Sequence, residues 1–187
     1  TRQAANLWAV KGRLHRDLAK SLGAGKGPIH IVDTFPMKVC SFKRSQRSSV
    51  FRGEAAYGYC ASKKEVYYGF QGHLVVTAEG IVTALAVTPA NVNETRGIWD
   101  LAPSFQGLTF GDKGYLGKPL KAELMNEGIH LETPLRKNMR DARDPAFVKQ
   151  LLRARKVVET VISQLTRRFW IERNHARDRW HLTSRIN

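Results

Sequence analysis

Residues 66–88 read VYYGFQGHLVVTAEGIVTALAVT, and this stretch decides the fold. It contains two runs, 66–77 and 81–88, that are rich in the β-branched and aromatic residues favoured in strands. Between them lies Ala78-Glu79-Gly80, a short loop that contains the glycine such turns favour. The pattern therefore predicts an antiparallel β-hairpin.

Strands and helices alternate on both sides of this hairpin. Upstream, Ile29-His30-Ile31-Val32-Asp33 predicts a short strand that ends in an acid. Downstream, the pattern predicts a helix that is capped by Asn91 or Asn93 and runs to about Leu101, and then a strand over 108–112 that ends in Asp112. A helix from Pro119 to Gly128, a strand over 129–132 and a long helix from about Phe147 are predicted after it. The order predicts an α/β fold. In it, three antiparallel strands and then α-β units form a mixed sheet flanked by helices.

Residues 38–65 interrupt this order directly after the first strand. They are rich in Lys, Arg, Ser and Gly and have weak periodicity, which predicts a long basic loop or insertion. We expect three regions: an N-terminal helix and Gly-rich linker over 1–28, a main domain over 29–173 that carries the insertion, and a basic C-terminal segment over 174–187. Because the chain begins at Thr1 without Met, we expect a piece of a longer protein, with an N-terminal module missing and the C-terminal segment truncated.

The N-terminal helix is expected over 5–21. Its apolar residues recur at spacings of three and four, which is the pattern of one helix face. They are Leu7, Val10, Leu14 and Leu18.

The charge of the chain is high and segregated. The 187 residues include 31 Lys and Arg against 16 Asp and Glu, a formal net charge of +15. Residues 1–65 carry 13 basic and 4 acidic residues, 66–135 carry 4 and 7, and 136–187 carry 14 and 5. This layout favours a polyanionic partner, nucleic acid by default, although charge alone leaves open a basic protein without such a partner.

Several classes are excluded by what the sequence lacks. Its two cysteines, Cys40 and Cys60, form no CxxC pair, which argues against a zinc ribbon, a thioredoxin-type site and a disulfide scaffold. No apolar run reaches transmembrane length and no signal-peptide pattern opens the chain. We therefore expect a protein of the reducing cytoplasm that has no membrane partner.

Three acids are candidates for catalysis. Asp33 ends the first predicted strand, Asp112 ends the fourth, and Glu159 lies on the last helix. Because residues at the carboxyl ends of neighbouring strands converge on one edge of an α/β sheet, the three side chains are expected to meet. Carboxylates brought together repel each other, and two Mg²⁺ or Mn²⁺ ions would relieve that repulsion and support phosphoryl transfer.

Each acid also has a structural interpretation. Asp33 and Asp112 could close a strand and cap the next segment of the chain, and Glu159 could pair on the helix surface with Arg155, four residues earlier. Taken singly, these interpretations are at least as good as the catalytic one. The placement of all three, on strand, strand and helix in this order, favours catalysis.

Six short segments resemble motifs of one family. They are residues 32–37 (VDTFPM), 68–74 (YGFQGHL), 88–92 (TPANV), 110–115 (FGDKGY), 136–139 (RKNM) and 155–160 (RKVVET). In this order they resemble the DDE transposases of bacterial insertion sequences, and they are most similar to the insertion-sequence 982 family. The resemblance covers roughly residues 29–180.

The resemblance implies an RNase H-like catalytic domain with two-metal DNA chemistry. Water would cleave DNA at the transposon ends, and the freed 3′-OH would then attack target DNA in the same site.

Related families carry a Tyr, Arg, Glu, Lys signature around the last acid. Arg155 matches its Arg, but Leu152 and Thr166 stand where the Tyr and Lys would be, with Arg167 next. This departure affects the DNA-end contacts of the helix and leaves the three proposed metal ligands untouched.

Further residues are candidates for contact with DNA. The basic loop before the last helix and the helix itself supply Arg136, Lys137, Asn138, Arg140, Arg155 and Lys156. A solvated basic loop is the alternative. His73 lies on a strand beside that of Asp33 and could neighbour the scissile phosphate, but a structural role is equally favoured. Trp170 is expected in the core.

The sequence thus predicts a metal-dependent DDE transposase that acts on transposon terminal repeats and target DNA. A homo-oligomer on paired DNA ends is expected of such an enzyme. Two alternatives stay open. The first is another RNase H-like nuclease, of the ribonuclease H or junction resolvase type, and the second is a DNA-binding derivative without catalysis.

Overall fold

The computed structural model describes residues 2–24, 27–173 and 175–186. Six strands form one mixed sheet: β1 Ile29–Ser41, β2 Ala56–Cys60, β3 Glu65–Thr77, β4 Val82–Pro89, β5 Gly107–Phe110 and β6 Ile129–Glu132. The α-helices are α1 Arg2–Asn6, α2 Trp8–Ser21, α3 Phe42–Ser45, α4 Glu94–Gly97, α5 Lys118–Asn126, α6 Pro145–Phe169 and α7 Arg179–Ile186. Short 3-10 turns span Ile98–Asp100, Ala102–Ser104 and Lys113–Tyr115. The predicted α/β class, with a mixed sheet and flanking helices, is confirmed.

The sheet combines an antiparallel half with a parallel half. β3 pairs antiparallel with β1 on one edge, while β2 and β4 share its other edge. β5 lies parallel to β1, and β6 lies parallel to β5. The path β4-β3-β1-β5-β6 therefore places the predicted hairpin on one side of the first strand and the α-β units on its other side.

Helix α6 covers one face of the sheet. Its Leu151 and Val158, seven residues apart on one helix face, are fully buried in a cluster with Ile31 and Phe110. The helix begins two residues before the predicted start, because the carboxylate of Asp144 accepts a hydrogen bond of 2.7 Å from the Ala146 N–H and caps it. This packing fixes α6 across the strands that carry the candidate acids.

A second cluster covers the opposite face. Val32 and Val75 of the sheet pack with Ile98 and with Leu124 of α5. Asn93 caps α4 by accepting a hydrogen bond of 3.0 Å from the Thr95 N–H, as one of the two predicted caps. The helix expected to run to Leu101 is instead divided into α4 and 3-10 turns.

The prediction that residues 38–65 form a loop is wrong. β1 continues to Ser41, α3 comes next, and β2 adds a strand beside β3. Phe51 anchors the segment, because its buried ring packs edge-on against Phe70 at 4.9 Å and its carbonyl accepts a hydrogen bond from the Tyr68 hydroxyl at 2.9 Å. A few apolar residues in a basic segment were enough to attach it to the sheet.

The apolar stripe of the N-terminal helix faces solvent. The predicted helix is present as α1 and α2, but Leu14 is 67% exposed and Leu18 is 55% exposed. The residues that α2 buries are the small Gly12 and Ala19, which allow close approach to neighbouring elements. Helical periodicity therefore predicted the helix correctly but not the face that it packs.

Within residues 2–24, 27–173 and 175–186, no helix combines the length and the hydrophobicity that a bilayer-crossing segment needs.

Candidate active site

One open cleft of about 580 Å³ gathers the three predicted acids. Asp33, Asp112 and Glu159 all line it, together with Arg155 and Glu94. The cleft therefore joins side chains from β1, from the loop after β5, from α4 and from α6.

The sheet register sets Asp33 and Asp112 at the same level. The parallel ladder between β1 and β5 ends at the pair Ile31 and Phe110. Each aspartate lies two residues beyond its member of that pair. β5 ends at Phe110, so Asp112 lies just beyond the end of its strand, close to the predicted position. β1 continues past Asp33 to Ser41, so Asp33 lies within its strand and not at the predicted end.

Asp33 is held by its own strand. Its Oδ1 accepts a hydrogen bond of 2.8 Å from the N–H of Thr34, and Leu74 of β3 lies opposite it. Burial raises the pKa of Asp33 to about 6, and the carboxylates of Asp112 and Glu94 add to that rise. The Thr34 N–H and the guanidinium of Arg155 act against it. An ionised Asp33 is therefore unfavourable in the cleft as it stands.

Arg155 bridges the other two acids. Its Nη2 lies 3.2 Å from Oδ1 of Asp112 and 3.8 Å from Oε1 of Glu159. The predicted helix-surface pair with Glu159 is thus present, but the shorter contact is to Asp112. The guanidinium side chain is 24% exposed and that of Glu159 is 59% exposed, so the bridge lies at the mouth of the cleft.

Comparison with known families identifies the domain. Residues 6–180 match the family model described as Transposase DDE domain. The chain belongs to this transposase family. A search of curated proteins finds no match to it. Membership implies a nuclease or polynucleotidyl transferase that acts on DNA and uses divalent metal ions.

The cleft of this transposase domain contains a fourth carboxylate that the sequence did not single out. Oε1 of Glu94 accepts hydrogen bonds from the Thr34 hydroxyl at 3.0 Å and from the Gln71 amide at 3.3 Å. Its other oxygen packs so closely on Gly114 that a Cβ there would lie 2.0 Å away. Glu94 therefore connects the residue after Asp33 to the loop after Asp112. Its sequence signal is only that of an acid at the start of a helix.

The donor set of the cleft suits a hard divalent cation. Carboxylate oxygens are the ligands that Mg²⁺ and Mn²⁺ prefer. The pKa of Asp33 is raised first by burial and then by the neighbouring carboxylates of Asp112 and Glu94, and a bound cation would offset both effects. Among the described residues, no group of three or more His, Cys, Asp or Glu is close enough to hold an ion as the side chains stand. Arg155, between Asp112 and Glu159, supplies positive charge there.

His73 is outside the cleft of the transposase domain. It is fully buried, its Nε2 lies 2.8 Å from the Thr88 hydroxyl, and burial lowers its pKa to about 4. Its ring packs against Gly97, where an added Cβ would lie 2.1 Å from Cε1. The structure therefore places His73 in the core and not among the residues that line the cleft.

The predicted DNA-contacting residues are separated from one another. Of these, Arg155 lines the cleft, whereas Lys156 faces the grooves beside α6. The loop residues Arg136, Lys137, Asn138 and Arg140 are exposed and do not line the cleft. At the other end of α6, Thr166 and Arg167 do line the cleft, where sequence analysis had noted only a departure from the family signature.

Trp170 is not in the core as expected. It ends α6 in a left-handed conformation and is 52% exposed, with the guanidinium of Arg173 4.8 Å from its ring.

Proposed function

We propose that this chain is the catalytic domain of a DDE transposase, which cleaves DNA at the ends of a mobile element and joins those ends to target DNA. The observation that carries the proposal is the single cleft lined by Asp33, Asp112 and Glu159 in a chain of this family. The strand path β4-β3-β1-β5-β6, antiparallel and then parallel, supports an RNase H-like core. The six ordered motifs support the insertion-sequence 982 family.

Asp33, Asp112 and Glu159 would hold two ions of Mg²⁺ or Mn²⁺ in this proposal. When bound, such ions activate the attacking oxygen and stabilise the leaving oxygen of an in-line phosphoryl transfer. Asp33 is already anchored through the Thr34 N–H. Glu94 is a positioning residue, because it links the Asp33 strand to the Asp112 loop.

The chain supplies two successive displacements in the same cleft. In the first, a water oxygen bonds to the phosphorus at the transposon end and the P–O3′ bond breaks, which leaves a 3′-OH and a 5′-phosphate. In the second, that 3′-OH bonds to a target phosphorus and a target 3′-OH leaves. Arg155 and Arg167, which line the cleft, provide positive charge for the DNA phosphates once the acids are otherwise neutralised.

The remaining assignments depend on this activity. Arg136, Lys137, Asn138, Arg140 and Lys156 contact the DNA backbone around the cleft. The catalytic domain spans 29–173, between an N-terminal segment over 1–28 and a basic segment over 174–187. The protein works as a homo-oligomer on paired ends, in the bacterial cytoplasm at the nucleoid.

The test is a cleavage assay with Mn²⁺ on duplex DNA that carries the terminal repeats of the element. We expect wild-type cleavage, loss of at least a hundredfold in Asp33→Asn, Asp112→Asn and Glu159→Gln, and no loss in the exposed control Glu123→Gln. Wild-type rates in Asp33→Asn or Asp112→Asn would refute the proposal. Cleavage confined to an RNA–DNA hybrid would instead indicate a ribonuclease H.

A further inference from the structure

A second groove, of about 820 Å³, lies between the segment after β1 and the segment before α7. Its basic lining residues are Lys43, Arg44, Arg47, His175 and Arg177, and we call it the basic groove. No described residue lines both this groove and the candidate active site. The two are adjacent, however, because Glu172 lines the cleft and His175, three residues later, lines the groove.

The cations of the basic groove are free to bind an anion. No Asp or Glu is among the described residues that line it. Within the described part of the chain, Lys43, Arg44, Arg47 and Arg177 make no ion pair, and all four are exposed. The cleft has the opposite character, since its cations lie among several carboxylates. Of these two places, the groove is therefore the one that offers an anionic ligand positive charge without carboxylates beside it.

Both walls of the basic groove are attached to the rest of the domain. On one side, the chain after α3 is fixed by the buried Phe51. On the other, the Lys38 N–H donates to the carbonyl of Glu172 at 3.0 Å, and Ala176 is buried in the core. The cations therefore stand on a fixed frame, which reduces the entropy lost when they bind a ligand.

We propose that the basic groove binds the phosphate backbone of duplex DNA beside the cleavage cleft, an inference that rests on the proposed function. Four cations without acidic neighbours match a repeated anion, whereas a single phosphate would need only one or two of them. β1 connects the two places, and its eight-residue step from Asp33 to Ser41 spans about 26 Å at most. That length corresponds to about eight base pairs of duplex, so one DNA molecule can reach both the cleft and the groove.

A native cysteine reports on each place. Cys40 lines the basic groove and is half-buried, whereas Cys60 lines the cleft and is buried. We would measure alkylation of both thiols by mass spectrometry in the Asp33→Asn protein, with and without a 30-base-pair duplex. We expect the duplex to slow alkylation of Cys40 at least fivefold at low salt, and protection to vanish at high salt. A Cys40 rate that the duplex leaves unchanged would overturn the proposal.

Matched charge variants separate groove contacts from overall charge. The groove variant Lys43→Gln/Arg44→Gln/Arg47→Gln and the control Arg13→Gln/Arg16→Gln/Lys20→Gln remove the same three charges from exposed positions. We expect the groove variant to bind duplex at least tenfold more weakly, with a salt slope smaller by about 2–3. The control should stay within threefold of wild type. Thermal melting of both variants should match that of wild type.

The outcomes also separate this inference from the proposed function. A groove variant that keeps the wild-type affinity and salt slope would refute the binding of DNA in the groove. If that variant still cleaves DNA in a metal-dependent reaction, the proposed function is unaffected. Equal losses of DNA affinity in both triple variants would also refute DNA binding in the groove, since they would show only the effect of net charge. A wild-type protein that neither binds nor cleaves DNA would refute the proposed function itself.

Discussion

Replacing Asp33 by asparagine is expected to stabilise the metal-free protein while abolishing its activity. Burial is the largest cause of the raised pKa of Asp33, which is about 6 instead of 3.8. The folded state therefore holds a proton on Asp33 between these values that the unfolded chain has released. Folding stability falls as pH rises through this window, and above it the folded protein carries the full penalty of an ionised carboxylate.

The shift in pKa sets the size of the effect. One pKa unit corresponds to about 1.4 kcal/mol, so the shift of Asp33 corresponds to about 3 kcal/mol, and its partial contact with solvent reduces this to about 1–3 kcal/mol. Asparagine retains an oxygen that accepts the hydrogen bond of 2.8 Å from the Thr34 N–H, so the substitution removes the charge without breaking that contact.

The assay is urea unfolding in the presence of a chelator at pH 7.5 and at pH 4. We expect Asp33→Asn to be more stable than wild type at pH 7.5 and nearly equal to it at pH 4. Asp112→Asn is the matched control. It relieves the repulsion between Asp112 and Asp33 but also loses the contact of Asp112 with Arg155 at 3.2 Å, so its gain should be smaller than that of Asp33→Asn. A variant Asp33→Asn that is equal to or less stable than wild type at pH 7.5 would refute the reasoning.

Three further predictions concern packing, protonation and the bridge across the cleft. Gly97→Ala should lose at least about 2 kcal/mol of stability, because its Cβ would lie 2.1 Å from the ring of His73. Gly117→Ala should lose much less, because a Cβ there would have no atom within 4 Å. Chemical denaturation measures the stability of both variants. In an Asp33→Asn background, the free energy of unfolding should fall by up to about 3 kcal/mol as the pH drops from 6.5 to 4. The reason is that His73 is buried in its neutral form with a pKa of about 4, so the unfolded chain takes up the proton first. A free energy of unfolding that does not change with pH would contradict this. Arg155→Gln should tighten Mn²⁺ binding in calorimetry, because the cation that neutralises two of the acids is gone; weaker binding would show that Arg155 helps to build the metal site.

The shared level of Asp33 and Asp112 in the sheet could be predicted, because each follows an apolar strand run closely. Asp112 comes after Phe110 and Asp33 after Val32, and sheet geometry then brings them to one level. The length of β1 was also encoded, since the buried Phe35 and Met37 continue the strand alternation past Asp33. Pro36, which lies between them and has no N–H for a strand ladder, weakened that signal.

Other features depend on contacts that no local pattern carries. The placement of Glu94 depends on a hydrogen bond from Thr34, 60 residues away in sequence. The exposed stripe of α2 results from close packing through Gly12 and Ala19, which periodicity of large residues cannot indicate. Likewise, the contact of Arg155 with Asp112 joins α6 to a loop 43 residues earlier, whereas the helix spacing predicts only its contact with Glu159.

A crystal structure of the protein with Mn²⁺ tests the central claim most directly, since anomalous scattering identifies the ion. The account predicts Mn²⁺ bound by Asp33, Asp112 and Glu159, with the Arg155 guanidinium displaced from its position between Asp112 and Glu159. Mn²⁺ bound elsewhere, with Arg155 still bridging those two acids, would contradict it.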